Sequence, residues 1–450
     1  MPIGDLDVPV IGKNVVIAIL VQSHILIATF ILGSSLIAPA AEYLGMVTKQ
    51  ANYERFARNL ARLIVLLFAS GSALAITFVL ALVTLFPVFF SYLQNIFFWV
   101  FLVEAFMFLA VIIILYAWYN TWDKLAYRKS LHVVFGFVAG GIGLFQMTMI
   151  DAVASYMLTP SEAPVTDVAR TYLNPTFVPL NMHRFVGNFS YAGFLIAGWA
   201  AYRYLSAKRE DDREYYDWMG HWGLLWGFGF LIMQPVIGYG YLKSIRESSP
   251  AAFNTIMLGE KAWLFNLLMV ELAIMSIAST AYFVHKLRFA VKPMETLRKL
   301  SIGGLAFIAL FTTLNLIPAD SSIVPQIGLE FLGGEETKIP LGSMYPYKYI
   351  GLIGMMLVGV FVVALYLRAS ATGFRWGRAS RWSQYALIAS AVTVILTMIT
   401  MGYTRETARR VDNQPGYLIY DCITLDQGFT PETCPAGESL TEGMEQEPRR

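Results

Sequence analysis

Ten long apolar stretches constrain this chain more than any other feature. A helix needs about 20 apolar residues to cross a hydrocarbon layer about 30 Å thick. The stretches lie at residues 14–38, 64–88, 96–119, 133–157, 183–205, 220–242, 262–285, 301–317, 349–369 and 382–402. Hydrophobic residues make up 56% of the chain, too many for a water-soluble domain to bury. We therefore predict an all-α polytopic membrane bundle of ten helices.

The connections between the stretches predict how the bundle is oriented. If the N-terminus lies outside, the inner connections carry 17 lysines and arginines and the outer connections carry 6. Because basic residues concentrate in cytoplasmic loops, both termini are predicted on the exported side. The first stretch follows Asp5 and Asp7 without a basic segment or a small-residue cleavage site. We therefore expect a retained helix and not a signal peptide.

The chain is predicted to divide into a membrane bundle at residues 1–404 and an exported polar tail at residues 405–450. The only two cysteines, Cys422 and Cys434, lie in this tail. In an oxidising compartment they are expected to form a disulfide. The net charge of +2 is too small to suggest nucleic-acid binding. The polar segments carry no phosphate-binding glycine loop, nucleophile motif or Cys-x-x-Cys pair, so we do not expect them to be catalytic.

Ionisable residues within apolar stretches are costly to bury and mark candidate functional sites. His24 lies within the first stretch, Glu104 lies within the third, and His183 begins the fifth. All three stretches enter from outside in the predicted topology, so these residues share the outer half of the bilayer. Glu406 and Arg409, at the outer end of the tenth stretch, join them.

Two imidazoles, two carboxylates and an arginine at one depth favour a metal-centred site over a proton wire, which would be spread across the membrane. Imidazole is the usual ligand of haem iron, and arginine suits haem propionates. We therefore predict a haem site at this depth, with the imidazoles of His24 and His183 as iron ligands and Arg409 as a partner of the haem propionates. The alternative is that His24 and Glu104 form only a buried hydrogen-bonded pair.

The other three histidines are expected to be structural. His132, His221 and His285 lie at inner helix ends beside basic connections, where an imidazole can reach the membrane interface.

The sequence around His183 resembles a known family. The run "LNP" at 173–175, followed by "HRFVGNFSYAGFLIAGWAAYRYL" at 183–205, is similar to the segment around the low-spin haem b histidine in subunit I of cytochrome bd-type quinol oxidases. The Asn-to-His spacing, the Ser-Tyr pair and the small residues of the helix carry the resemblance. It covers the first six stretches and the last two.

The resemblance implies roles for four residues. His183 is implied to ligate low-spin haem b, and His24 to ligate a high-spin haem at an oxygen-reducing centre. Glu104, followed by "WDKL" at 122–125, resembles the glutamate beside that centre. Glu406, with Arg409 three residues later, resembles a ligand glutamate and its arginine. Glu104 and Glu406 are accordingly the predicted catalytic residues.

The chain also departs from the family's pattern. Ile112 stands where the family has a second, proton-delivering glutamate. Ile350, in "YPYKYIGLIGMM", stands where the family has the methionine that is the sixth haem ligand, and Met355 or Met356 are the nearby alternatives. Lys348, in the same segment, is a further candidate for binding haem. The long hydrophilic quinol-binding loop after the sixth stretch is replaced by a short connection.

The resemblance leads to two redox functions. The first is an oxidase subunit that passes electrons from quinol through haem b to a high-spin haem, of type b or d, which reduces oxygen. The second is a b-type electron-transfer subunit that links the quinone pool to an exported redox partner without reducing oxygen. Both imply a bacterial inner membrane location and a second membrane subunit. A transporter is the third class, but the paired broken helices of such proteins are not apparent.

Overall fold

A computed structural model of the chain describes residues 11–159, 168–257, 261–317, 346–408, 417–419 and 422–424. The described residues form helices and their connections, apart from one short hairpin, so the predicted all-α architecture is confirmed. In the hairpin, β1 (Tyr417–Ile419) pairs antiparallel with β2 (Cys422–Thr424). Cys434 lies outside the described residues, and its disulfide with Cys422 stays a prediction.

Fourteen helices are present in the described residues. Those of the N-terminal half are α1 (Lys13–Thr48), α2 (Ala51–Leu85), α3 (Pro87–Ile96), α4 (Phe98–Asn120), α5 (Lys129–Tyr156), α6 (Val168–Tyr172) and α7 (Phe177–Ser206). Those of the C-terminal half are α8 (Glu210–Leu231), α9 (Gln234–Ser248), α10 (Pro250–Met257), α11 (Ala262–Lys286), α12 (Glu295–Leu316), α13 (Pro346–Ser370) and α14 (Arg381–Ala408). A short 3-10 turn at Ala126–Arg128 directly precedes α5, and another at Leu287–Phe289 directly follows α11.

Every predicted apolar stretch coincides with a helix or a pair of helices. Within the described residues, nine segments are long and apolar enough to cross a membrane, and α8 with α9 count as one of them. The helix α7 has 30 residues, which is long enough, but it is not among the nine. Its composition explains the difference, because Arg184, Asn188 and Arg203 reduce the mean hydropathy of every window that could span the bilayer.

The described helices form two compact units. The first unit contains residues from 1–185, 244–255 and 405–450, and the second contains residues from 186–243 and 256–404. The helix α14 continues to Ala408, four residues past the predicted end of the bundle at 404. The predicted tail beyond it lies mostly outside the described residues.

In the first unit, α1 packs along α2 and α5, and α5 packs along α4. Close packing of α1 and α5 depends on Gly140, because a Cβ atom there would lie 2.7 Å from the carbonyl oxygen of Ser35. Near the ends of these helices the fully buried Glu42 accepts from Lys129 Nζ at 2.9 Å and lies 2.5 Å from His132 Nδ1. The buried carboxylate thus has a cation and a hydrogen-bond partner, as buried charges require.

In the second unit, α12 packs along α11 and α13. The connection between α13 and α14 is held by Asp217 of α8, which is fully buried. Its Oδ2 accepts from Lys286 Nζ at 2.6 Å and from the backbone N–H of Gly377 at 2.9 Å. Lys286 also lies 4.4 Å from the ring centre of Trp376. An ion pair and a cation–π contact therefore fix this connection to the helices.

The three histidines expected to reach the membrane interface are instead buried and hydrogen-bonded. His132 contacts Glu42, His221 Nδ1 lies 2.6 Å from the hydroxyl of Tyr366, and His285 Nε2 accepts from the backbone N–H of Ser380 at 3.2 Å. The predicted structural role fits these contacts, but the predicted exposure is wrong. Each imidazole has at least one hydrogen-bond partner in the protein, although Nδ1 of His285 is buried without one among the described residues.

Candidate haem site

Three polar residues of α5 organise the site in the first unit. Gln146 donates to Glu104 Oε1 of α4 at 3.3 Å. Thr148 Oγ1 and Asp151 Oδ2 each accept from Nδ2 of Asn181 in α7, at 3.1 Å and 3.0 Å. The helix α5 therefore connects the helix that carries Glu104 to the helix that carries His183.

The strongest interaction in this region joins Asp151 to Arg184. Asp151 is fully buried, and its Oδ1 accepts from Arg184 Nη1. Arg405, near the end of α14, donates to the carbonyl of Ala154 and also acts electrostatically on Asp151. Two guanidinium groups thus offset the charge of one buried carboxylate, which satisfies the requirement that a buried charge be paired.

His183 is the seventh residue of α7, because the helix begins at Phe177 and not at residue 183 as predicted. The Asn-Pro turn before it is attached to α5, since Asn174 Nδ2 donates to the carbonyl of Ala152 at 3.1 Å and the hydroxyls of Thr176 and Thr159 contact each other. The N–H groups of the first helical turn have no intrahelical partners, so proline is tolerated there. Pro179 therefore allows the helix to begin before His183. His183 is partly buried.

His24 lies in the middle of α1, where its Nδ1 is 3.3 Å from the carbonyl oxygen of Gly71 in α2. The charge of Arg184 acts electrostatically on both His24 and His183. Asp151 of α5 in turn accepts from the guanidinium group of Arg184.

Glu104 is not the partner of His24, so the alternative of a simple Glu104–His24 pair is wrong. Its Oε1 accepts from Gln146, and its Oε2 is buried without a hydrogen-bond partner among the described residues. A buried carboxylate oxygen of this kind is rare in native proteins, because buried polar atoms are nearly always hydrogen-bonded. Glu104 is therefore a candidate to interact with a cofactor or to bind a proton.

The remaining predicted site residues are Glu406, Arg409 and Lys348. Glu406 lies in the last turn of α14 and is partly buried, and Arg409 lies outside the described residues. Lys348 belongs to the second unit, where it is fully buried and its Nζ donates to the carbonyl of Asn315 at 2.5 Å. In the same unit, Asn315 Nδ2 lies 3.2 Å from the sulfur of Met355, the methionine considered as a haem ligand.

The small residues of α7 serve helix packing at one position. A Cβ atom at Gly193 would lie 2.1 Å from the backbone nitrogen of Gly227 in α8, and Ser190 Oγ donates to the carbonyl of Gly227 at 2.9 Å. Gly193 therefore allows α7 and α8 to approach closely.

The donors present are suited to haem more than to an ion held by protein alone. No three His, Cys, Asp or Glu side chains of the described residues are grouped closely enough to hold a bare metal ion. Haem iron needs only one or two axial ligands from the protein, since the porphyrin supplies the other four. Separate imidazoles at His24 and His183 satisfy that smaller requirement.

Several residues of the site were not predicted from the sequence. Arg184, Asn181 and Gln146 carry no motif of their own, and only the position of Arg184 directly after His183 indicated a role. Asp151 is a further buried acid of the site, and it pairs locally with Arg184.

Comparison with known proteins identifies what the chain resembles. The family model for cytochrome bd terminal oxidase subunit I matches residues 14–442. Among solved structures, the bd oxidase from Geobacillus thermodenitrificans is similar, with a TM-score of 0.59 and 17% identity over 90% of this chain and 88% of that chain. At that identity the likeness concerns the fold alone. No curated protein sequence matches significantly.

Proposed function

Because the chain belongs to the cytochrome bd terminal oxidase subunit I family, we propose that it is the haem-bearing subunit of a respiratory complex. In this proposal His183 would hold a haem b that accepts electrons from a quinol. His24, Glu104 and Glu406 would hold a second, high-spin haem of type b or d, which would supply the chemistry of oxygen reduction to water.

The position of Arg184 is the observation that supports this proposal most. Arg184 directly follows His183 in the chain, and the fully buried Asp151 accepts from its guanidinium group. Haem carries propionate groups that need positive partners, and a guanidinium offers planar, bidentate donors. A guanidinium held in place next to a candidate imidazole ligand is therefore an arrangement suited to binding haem in a bilayer.

Each residue has a defined task in this proposal. The imidazoles of His24 and His183 would bind the iron of the two haems, and Arg184 would neutralise carboxylate charge. Glu104 uses its unpartnered Oε2 to accept a proton or a hydrogen bond at the oxygen-reducing centre, while Gln146 fixes its other oxygen. The haems, when bound, supply the electron transfer and oxygen chemistry.

The chain is a multi-pass membrane protein of this family. We place it in a bacterial inner membrane with both termini on the exported side. Its partners in the proposal are a second membrane subunit and quinone, and the exported tail is a candidate surface for an exported redox protein.

An optical spectrum of the purified protein tests the proposal. Reduction should produce low-spin haem b bands, and carbon monoxide should shift the spectrum of a second, high-spin haem. His183→Ala should remove the low-spin bands and keep the carbon monoxide response, whereas His24→Ala should do the reverse, so each variant is the control for the other. A protein without haem bands would refute the proposal. Low-spin bands without a carbon monoxide response would support the electron-transfer function instead.

A further inference from the structure

Glu271 is a buried acid that the proposed haem chemistry does not use. It lies within α11, and its side chain is 4% exposed. Oε1 accepts from Thr400 Oγ1 of α14 at 2.9 Å, and Oε2 is buried without a hydrogen-bond partner among the described residues. An ionisable group within a membrane helix is costly and is a candidate functional residue.

The helices α11 and α14 meet at two separate points in the second unit. Glu271 contacts Thr400, and further along α11 His285 accepts from the backbone N–H of Ser380 and packs its ring 4.7 Å from that of Trp382. Fourteen residues separate Glu271 from His285, or about 21 Å of helix at 1.5 Å per residue. Glu271 is therefore far from the helix end and deep within the packed segment.

The face of α14 that meets Glu271 carries a series of hydroxyl groups. Thr393, Thr397, Thr400 and Thr404 are spaced three or four residues apart, so they lie on one side of the helix. Thr397 and Thr404 donate to carbonyl groups one turn earlier, at 2.9 Å and 2.7 Å, as threonine in a helix commonly does. Thr400 instead donates to Glu271, and Thr397 also interacts with that carboxyl group. The side chain of Glu271 therefore points into a threonine face.

Charge distinguishes Glu271 from the other buried acids. Glu42 lies beside Lys129, Asp151 beside Arg184, and Asp217 beside Lys286. In the described part of the chain, the groups that interact with the Glu271 carboxyl are hydroxyls, and none is a cation. A carboxylate without a cation is strongly disfavoured in such surroundings, so the carboxyl group is expected to carry a proton.

We propose that Glu271 and the threonine face of α14 form a proton-binding site within the membrane. The neutral carboxyl group accepts from Thr400 and holds one proton on its second oxygen. During turnover it gives this proton to water and takes up another, so that it acts as a proton-relay residue. Binding of the proton by Glu271 does not depend on the proposed function. Delivery of that proton to the site of oxygen reduction rests on the proposed function.

Infrared difference spectroscopy tests the proton site without using haem. The spectrum of wild type minus Glu271→Gln should contain the C=O band of a protonated carboxylic acid, which should shift in deuterium oxide. Thr400→Val should move this band by removing one hydrogen bond. Thr313→Val is the matched control, because Thr313 is exposed and its hydroxyl bonds only within its own helix. A difference spectrum with only carboxylate bands would overturn the proposal.

Turnover tests the relay. Glu271→Gln should lower the rate of quinol-driven oxygen consumption at least tenfold while the reduced haem spectrum is unchanged, and Thr313→Val should have no effect. Wild-type turnover in Glu271→Gln would overturn the relay even if the carboxylic acid band is present. A carboxylic acid band in a protein that binds no haem would support the proton site and refute the proposed function.

Discussion

Asp151 depends on Arg184 for its charge balance, and this dependence can be measured. Arg184→Met should leave a fully buried carboxylate with less compensation, and breaking a buried ion pair costs about 3–5 kcal/mol. We expect the midpoint of unfolding in detergent to fall clearly. Tryptophan fluorescence of samples with equal haem content measures this midpoint.

The double variant Arg184→Met/Asp151→Leu is the control for this prediction. An apolar pair of similar volume often replaces a buried ion pair without loss, so most of the stability should return. If Arg184→Met alone were as stable as the wild type, the pair would not hold α5 and α7 together.

At individual positions, the sequence indicated candidate ligands but not their neighbours. His183 follows a recognisable motif, and its role as a haem ligand stays a prediction. Arg184 and Gln146 contact the site only because the fold brings α5 against α7 and α4, and no local pattern contains that information. The alternative, in which His24 pairs with Glu104, was wrong for the same reason, since one depth in the membrane does not fix one direction.

At the scale of elements, the approach of α7 to α8 depends on paired glycines. A methyl group at Gly193 would lie 2.1 Å from a backbone atom of Gly227, which cannot rotate away as a side chain can. Gly193→Ala should therefore force the helices apart and lower the stability by about 1–3 kcal/mol or more. Thermal unfolding of the purified protein measures this loss.

Gly229→Ala is the matched control for that variant. A Cβ atom at Gly229 meets nothing within 4 Å, and alanine favours a helix over glycine by up to about 1 kcal/mol. The control should be neutral or slightly stabilising. Equal stability in the two variants would contradict the close packing of α7 and α8.

The positions of the membrane helices followed from hydropathy, whereas the breaks within the apolar stretches did not. All ten apolar stretches are helical, because an apolar run of that length has few other structures available in a bilayer. The sequence did not predict that Phe86 separates α2 from α3, or that α8 ends at Leu231 and α9 begins at Gln234. Short breaks leave mean hydropathy unchanged, so a window of about 20 residues cannot detect them.

At the scale of the whole molecule, two of the buried ion pairs contain lysines that the predicted topology assigns to inner connections. Glu42 with Lys129 and Asp217 with Lys286 both lie at helix ends that the basic connections place inside. The positive-inside bias therefore includes lysines that are folded into the protein, as well as lysines exposed to the cytoplasm. Counting charges alone could not separate these two classes.

Orientation in the membrane is the prediction on which every assignment of depth rests. In a variant without Cys422 and Cys434, a cysteine at the exposed Lys292 should lie inside, since it belongs to the most basic connection. A membrane-impermeant maleimide should label Lys292→Cys only after spheroplasts are permeabilised. In the wild type, the same reagent should label the reduced tail cysteines in intact spheroplasts, which provides the control for access. The opposite labelling pattern would invert the bundle and move His24, Glu104 and His183 to the cytoplasmic half of the membrane.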